Sequence, residues 1–457
     1  MINNFRLKKQ FTILRQMYGS AYSSQILIPQ GRLKMKVGYS LHNLWRMKGD
    51  RSMKQRVIFL DLHCNGFIVK NLSHVLFKHS IALKHDFLLS YLLTDDSIEV
   101  CNFVSKKNTC LLKGIQVFGG IWQKIWPHLS CLENLYVMRI NRLSSIKPIY
   151  SIGDIRPTDI IIGYLNQPDA LSIMEDFQGL KTVSLLHFFG ETNEALLLRT
   201  VNPDVIFSEA YLNKYSKMFQ KNFSWYKGEY LLVPFKYHPR FQSKINFSQR
   251  KVRAVAMGTV TKRPTKEFVA VYGTDCYQPL RGQIYEHKDD LSDILDCFIS
   301  PFIEKDVKIT SDMSIFQRIY KKVMKLFSEQ QKQYFSFDMV EKYNEYKMAI
   351  CPEDAQGMPG VGFVEAMACG CAYIGFDYGA YHDLGLIEGV HFIGYDGSLM
   401  DLRKKIEYYM QADHQEELAL IAENGREYVR ANFSEDVVAK RFFQALFSIS
   451  KKEMSTI

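Results

Sequence analysis

Residues 351–377 read CPEDAQGMPGVGFVEAMACGCAYIGFD, and this passage decides the fold. Gly357, Pro359, Gly360 and Gly362 lead into a run of small apolar residues that holds one carboxylate, Glu365, before Gly370 interrupts it. Just upstream, YKMAIC (346–351) reads as a buried strand; just downstream, CAYIGF (371–376) reads as the next one. Between them the pattern predicts a helix that starts near Val361 and stops at Gly370, the residue type best suited to a helix C-terminus. Strand, glycine loop, helix and strand in that order make one unit of a parallel α/β sheet.

The same alternation extends outward in both directions. Apolar strand candidates occur at 34–40 (KMKVGYS), 57–62 (VIFLDL), 159–163 (DIIIG), 181–186 (KTVSLL), 204–208 (DVIFS), 230–233 (YLLV) and 254–258 (AVAMG), with helical patterns between several of them. The longest of these patterns covers 69–93, after the loop HCNG, and the chain turns helical again from about Asp401. Continuous apolar strands of this kind belong to sheets covered on both faces. A polar, basic stretch at 236–253 (KYHPRFQSKINFSQRKVR) reads as a linker between two such sheets. The expected fold is α/β with two Rossmann-like domains facing each other across a cleft. Residues 1–245 form an N-terminal domain with a basic extension, 246–430 a C-terminal domain, and 431–457 a helix returning to the first. In sheets of this type ligands bind beyond the carboxyl ends of the strands, so the loops after those strands are the places to search.

Composition narrows the class. A chain of 457 residues with 47% hydrophobic and 23% charged residues is globular and has material for two or three domains. Nine scattered cysteines, with no C-x-x-C pair, argue against a disulfide framework or a zinc cage and fit a reducing cytoplasm. The net charge of +10 admits anionic partners. Nucleic acid finds no aromatic–basic recognition motif to support it. No segment approaches the roughly 20 apolar residues that span a bilayer. The N-terminus has no uninterrupted apolar core of a secretory signal. Phe5, Phe11, Leu14 and Met17 alternate there with Arg6, Lys8, Lys9 and Arg15. That pattern fits a basic amphipathic helix touching the inner membrane surface, or alternatively a disordered or packing tail.

The glycine loop and Glu365 suggest a ligand. Gly357, Gly360 and Gly362 let backbone approach a bound group, and a helix N-terminus pointing into the same space favours phosphate. Glu365, one turn into an apolar helix, needs a partner if it is desolvated. A sugar diol supplies one, because its two hydroxyls can donate to two carboxylate oxygens. Phosphates at the helix start and a ribose one turn deeper describe a nucleoside diphosphate. The plainer reading is a helix–strand connection whose glutamate pairs with a nearby lysine.

The block GMPGVGFVEAMACGCAYIG, 357–375, resembles the donor-binding signature of the GT-B glycosyltransferases of family 4, roughly E-G-F-G-x-x-x-x-E-A-M-A-C-G followed by a strand. Ala366, Met367, Ala368, Cys369 and Gly370 match in order, and Glu365 falls on the glutamate that holds the nucleotide ribose in that family. Gly357, Met358, Gly360 and Val361 then belong to the donor loop. The family's other glutamate, used near the donor sugar, should stand eight residues before Glu365, where this chain has Gly357; Glu353 and Asp354 are the carboxylates nearby. TVSLLHFFGE (182–191) resembles the strand that ends in a histidine at the cleft, which implies a catalytic place for His187. VIFSEAYLNKYSKMF, YLLVPFKYHPRF and ENGREYVRANFSEDVVAKRF resemble further family segments, so the likeness runs from about 181 to the C-terminus. The family opens its second domain with Gly-Arg and a later lysine. Here AMGTVTKRPTKEF offers Gly258, then Thr259, with Lys262, Arg263 and Lys266 as candidate cations. A cation is needed because the leaving diphosphate gains negative charge as the glycosidic bond breaks. Lys262 or Arg263 is the expected catalytic one, with Lys266 on the donor side; the alternative is a solvated basic turn.

The resemblance implies a glycosyltransferase that takes a nucleotide-sugar donor and a glycan or lipid-linked glycan acceptor, retains anomeric configuration, and works in the cytoplasm or at the cytoplasmic face of the membrane in bacterial surface polysaccharide synthesis. The chain contains no D-x-D pair, and such enzymes need no metal or other cofactor. Two other readings stand beside this one. One is a different GT-B enzyme, such as an epimerase or phosphorylase. The other is a non-catalytic glycan- or nucleotide-binding scaffold, which the absent carboxylate at Gly357 favours.

Overall fold

The computed structural model describes residues 54–77, 83–107, 121–186, 188–262, 265–302 and 338–454. The strand expected at 34–40 and the amphipathic N-terminal segment lie outside them. From Lys54 onward the chain clusters as one compact unit, which contains two parallel sheets.

The first sheet has seven strands: β1 (Gln55–Leu60), β2 (Ile98–Phe103), β3 (Lys147–Ile149), β4 (Ile160–Tyr164), β5 (Leu180–Ser184), β6 (Val205–Ser208) and β7 (Glu229–Leu232). Their order is β3-β2-β1-β4-β5-β6-β7, and each pairing is parallel. This is the doubly wound order of a dinucleotide-binding fold with one strand added at the edge. β1 shows why both faces must be covered. Val57 and Phe59 enter one apolar cluster and Ile58 and Leu60 the other, all of them buried, as the two-residue period of a strand dictates.

The second sheet has five described strands: β8 (Lys251–Thr261), β9 (Leu295–Phe302), β10 (Tyr346–Ile350), β11 (Ala372–Phe376) and β12 (Ile393–Tyr395), in the order β12-β11-β10-β8-β9, again all parallel. This is the other common doubly wound order. The helix Glu435–Met454 then packs on the first sheet's domain: Val438, Ala439, Phe442, Phe443 and Leu446 join its core, Phe442 lies 4.8 Å from the Phe207 ring, and Phe443 stacks on Tyr91 at 5.8 Å. Two doubly wound parallel sheets with loops meeting at their carboxyl ends form the GT-B fold. Among the described residues no helix is long and apolar enough to cross a membrane.

Several local expectations change. The helical pattern over 69–93 resolves into separate helices, Leu72–Phe77 and Asp86–Leu93. The last residues of the expected linker, Lys251 to Arg253, belong to β8, because Arg253 reaches across to Asp296 of β9 and to the carbonyls of Ser292 and Asp293. β2, β3, β9 and β12 had no clear signal in the sequence.

Candidate functional site

Strand order places the site. In the second sheet β9 lies on one side of β8 and β10 on the other, so the connections leaving these two central strands diverge and open a crevice at their carboxyl ends. Gly258 stands near the end of β8, and the glycine loop 351–361 follows β10 directly. Gly258, Gly357, Met358, Gly360, Val361 and Glu365 are therefore gathered at one end of the sheet.

The loop holds its shape through one buried and one half-buried carboxylate. Asp354 accepts from the backbone N–H of Gln356 (2.9 Å) and Met358 (3.0 Å), and Gly357 N–H closes the turn on the Asp354 carbonyl at 3.0 Å. Burial raises its pKa to about 6, while these donors and the positive charge of Arg281 pull the other way. Glu353 is turned into a tyrosine cage, accepting from the hydroxyls of Tyr381 and Tyr395 and from the Phe376 N–H, and burial pushes its pKa up. Both carboxylates are committed to organising the loop.

Gly357 itself has φ +78°, and a Cβ there would come within 3.0 Å of the Tyr378 hydroxyl and 3.2 Å of Tyr215 Cβ. Two tyrosines thus occupy the space beside the position where the family pattern has a carboxylate. The left-handed backbone costs an L-residue roughly 1–2 kcal/mol, so Gly357→Ala is expected to lower stability by about that amount, read as a shift in the denaturant midpoint at constant slope. An unchanged midpoint would show that the turn relaxes freely.

The helix after the loop, Gly362–Ala368, is only two turns long, which limits what its dipole can contribute. Its inner face (Phe363, Val364, Ala366, Met367) is fully buried. Glu365 is half-buried, yet its Oε2 is shut off from solvent and has no hydrogen-bond partner. Burial raises the Glu365 pKa to about 8, with the Arg240 guanidinium opposing the shift. No ion pair within bonding distance satisfies the carboxylate among the described residues. This is an acceptor waiting for a donor.

A second polar group was not anticipated. Arg281, in the helix Pro279–Glu286, is buried (8% exposed) and lies across the ends of β8 and β10. Its Nη1 donates to the Thr259 carbonyl at 2.9 Å and its Nη2 to the Pro352 carbonyl at 2.7 Å and the Cys351 sulfur at 3.5 Å. Gly258, with φ +139°, has no room for a side chain, because a Cβ would sit 2.9 Å from the guanidinium. The sequence did carry a signal for this residue. Leu280, Arg281 and Ile284 share the buried face of one short helix, and an arginine on such a stripe is unusual.

The other expected residues are placed differently. Lys262 is 70% exposed and pairs with Asp275 at 3.2 Å. Lys266 is exposed at the first turn of the helix Lys266–Tyr272. His187 and Arg263 lie outside the described residues.

Loops from the two domains meet here. Gln356, fully buried, donates to the Phe188 carbonyl after β5 (2.7 Å) and to the Tyr277 hydroxyl (3.0 Å), and accepts from Ser216 Oγ after β6 (2.8 Å). Met358 packs against the first domain's core. Asp383 accepts from Tyr215 (2.6 Å) and Lys214 (2.8 Å), and Glu267 from Thr192 and Asn222. The carboxyl ends of the two sheets therefore face each other.

Solved structures with a similar fold include sucrose-phosphate synthase from Thermosynechococcus elongatus (11% identity, 87% of this chain and 99% of that one, TM-score 0.47). They also include HepE of Anabaena in complex with UDP (12%, 86% and 100%, TM-score 0.44), and the N-terminal domain of trehalose-6-phosphate phosphatase from Candida albicans (13%, 88% and 98%, TM-score 0.44). No curated protein matches the chain. Residues 317–444, which contain the glycine loop, Glu365 and strands β10 to β12, match the family described as "Glycosyl transferase-like".

Proposed function

We propose that the protein transfers a sugar from a nucleotide-activated donor to a glycan or lipid-linked glycan. The observation that carries this reading is the solvent-excluded, unpartnered Oε2 of Glu365 beside a glycine loop at the switch point of the second sheet, within a segment that matches a glycosyltransferase-like family. Glu365 accepts from the ribose hydroxyls, and the backbone at Gly258, Gly357, Met358, Gly360 and Val361 packs against the diphosphate. Lys262, Arg263 or Lys266 reaches the diphosphate on closure of the cleft, and His187 stands beside the transferred sugar. The acceptor binds on the side of residues 1–245, and residues 431–457 tie the two domains together.

The chemistry follows from retention of anomeric configuration. The bond between the sugar's anomeric carbon and the phosphate oxygen breaks, and its electron pair leaves with the nucleoside diphosphate. The acceptor hydroxyl oxygen bonds to the same face of the anomeric carbon, and its proton passes to the departing phosphate oxygen. No metal is needed in this scheme, because protein donors and cations meet the developing charge. A place in bacterial surface polysaccharide synthesis, at the cytoplasmic face of the membrane, suits the basic charge and a lipid-linked acceptor.

A second reading, a binding scaffold without turnover, is favoured by the two tyrosines packed around Gly357. Incubation with a panel of UDP-, GDP-, ADP- and CMP-sugars separates the two. Release of nucleoside diphosphate, with or without acceptor, is the expected result for at least one donor. Tight binding of a donor with no release from any would leave the scaffold reading.

A further inference from the structure

The side chain of Arg281 carries a buried charge that acts on the Asp354 carboxyl and is closed by no ion pair among the described residues. Among the described residues no carboxylate lies within ion-pair distance of it. Its hydrogen bonds go to two carbonyls and a thiol, and its Nε is solvent-excluded with no partner. A buried cation whose hydrogen bonds all go to neutral groups is costly unless an anion completes it. The surroundings show how the guanidinium is seated at the crevice. The guanidinium runs beneath Gly258 on one side, and Nη2 comes 3.4 Å from the Cβ position of Gly360 on the other. Both glycines let the guanidinium pack against backbone, at the crevice where β8 and β10 part.

We propose that Arg281 is the positioning residue for the diphosphate of the bound nucleotide, a fixed positive charge in the floor of the crevice that also pins the loop after β10 to the end of β8. The inference rests on the nucleotide-sugar reading for the identity of the anion, though not for its existence. By tying Thr259 to Pro352, Arg281 sets the gap between the two strand ends, so the same side chain shapes the phosphate site and supplies its charge. Lys262 and Lys266, exposed to solvent, then act only from the rim. A buried charge is less screened by salt than an exposed one, which suits a group whose task is to hold phosphate against water.

The test compares ligands with and without phosphate on the full chain. Calorimetry is run with UDP, GDP and ADP, with uridine, guanosine and adenosine, and with inorganic pyrophosphate, on the natural protein and on Arg281→Gln and Arg281→Lys. In Arg281→Gln, affinity for the best nucleoside diphosphate and for pyrophosphate is expected to fall tenfold or more, while affinity for the matching nucleoside stays within twofold. Arg281→Lys, which keeps the charge, is expected to recover most of that loss, and it carries the test if the glutamine variant does not fold. Equal losses for nucleoside and diphosphate would make Arg281 a purely structural clasp and overturn the proposal. Diphosphate affinity within twofold of the natural protein, or no pyrophosphate binding in the natural protein, would overturn it as well. Pyrophosphate binding that depends on Arg281, with no nucleotide bound by any variant, would support the anion site and remove the nucleotide reading instead.

Discussion

Glu365→Ala is expected to weaken binding of the preferred nucleoside diphosphate by about 1–3 kcal/mol, the scale for leaving buried polar partners unmade, or roughly 5- to 150-fold. The pH dependence should be as informative as the size. With its pKa raised to about 8 by burial, Glu365 is mostly protonated in the empty site at neutral pH, whereas a diol that donates twice requires the ionised carboxylate. Binding must then expel a proton. Affinity should rise with pH by up to about tenfold per unit below pH 8 and level off above it, by the usual linkage. Glu365→Gln cannot ionise and should flatten the profile. The nucleotide's own phosphate titrates identically for both proteins, so their difference isolates residue 365. The stability sign is opposite. A carboxyl whose folded pKa lies above its unfolded value of 4.5 contributes stability at acid pH that is lost as pH climbs from about 5 to 8. The ligand-free protein should therefore lose thermal stability over that window relative to Glu365→Gln. An affinity profile parallel to that of the glutamine variant would remove Glu365 from the ribose.

What the sequence revealed follows the physics of burial. β1, β4, β6, β10 and β11 lie inside their sheets and are covered on both faces, so each announces itself as an apolar run. β2 carries Glu99, which pairs with Lys147 of β3; one charge in IEVCNF breaks the run although the strand is almost wholly buried. β9 likewise carries Asp296, held by Arg253 and Tyr346, and β12 is a three-residue edge. These strands depend on partners distant in sequence.

The site was legible to the same degree. A glycine loop with a lone glutamate behind it can be read from spacing, because both features arise from neighbours in the chain. Arg281 could not be assigned this way, since its meaning comes from Thr259, Pro352 and Cys351, which two other strands deliver. The tyrosines around Gly357 are a similar case: Tyr378 follows β11 and Tyr215 follows β6, so only the assembled fold shows that the position is filled.

Gln356→Leu should act on the closure of the cleft. Surface ion pairs such as Lys214–Asp383, 49% and 21% exposed, contribute about 0–1 kcal/mol, whereas Gln356 is a fully buried amide joined to both domains. Leucine leaves the Phe188 carbonyl unpaired when the domains are together and takes one bond from the Ser216 hydroxyl, which keeps those to Phe219 N–H and Tyr272, while water can replace what is lost when the domains part. The balance should shift toward the open form by about 1–3 kcal/mol, roughly 5- to 150-fold. Nucleotide held by Glu365 and the glycine loop sits on the second domain, so affinity for the bare nucleoside diphosphate should change little. Turnover, which needs the first domain brought up and water excluded, should fall by a comparable factor. A ligand favours closure only by its differential affinity for the closed state, so a nucleotide sugar touching both domains should partly restore compactness and the bare nucleotide should not. Small-angle scattering reads the radius of gyration directly, and hydrogen exchange over residues 233–250 reports on the connecting segment. If Gln356→Leu leaves turnover, radius and exchange unchanged, the seam is held by something other than this amide and the two domains move as one body.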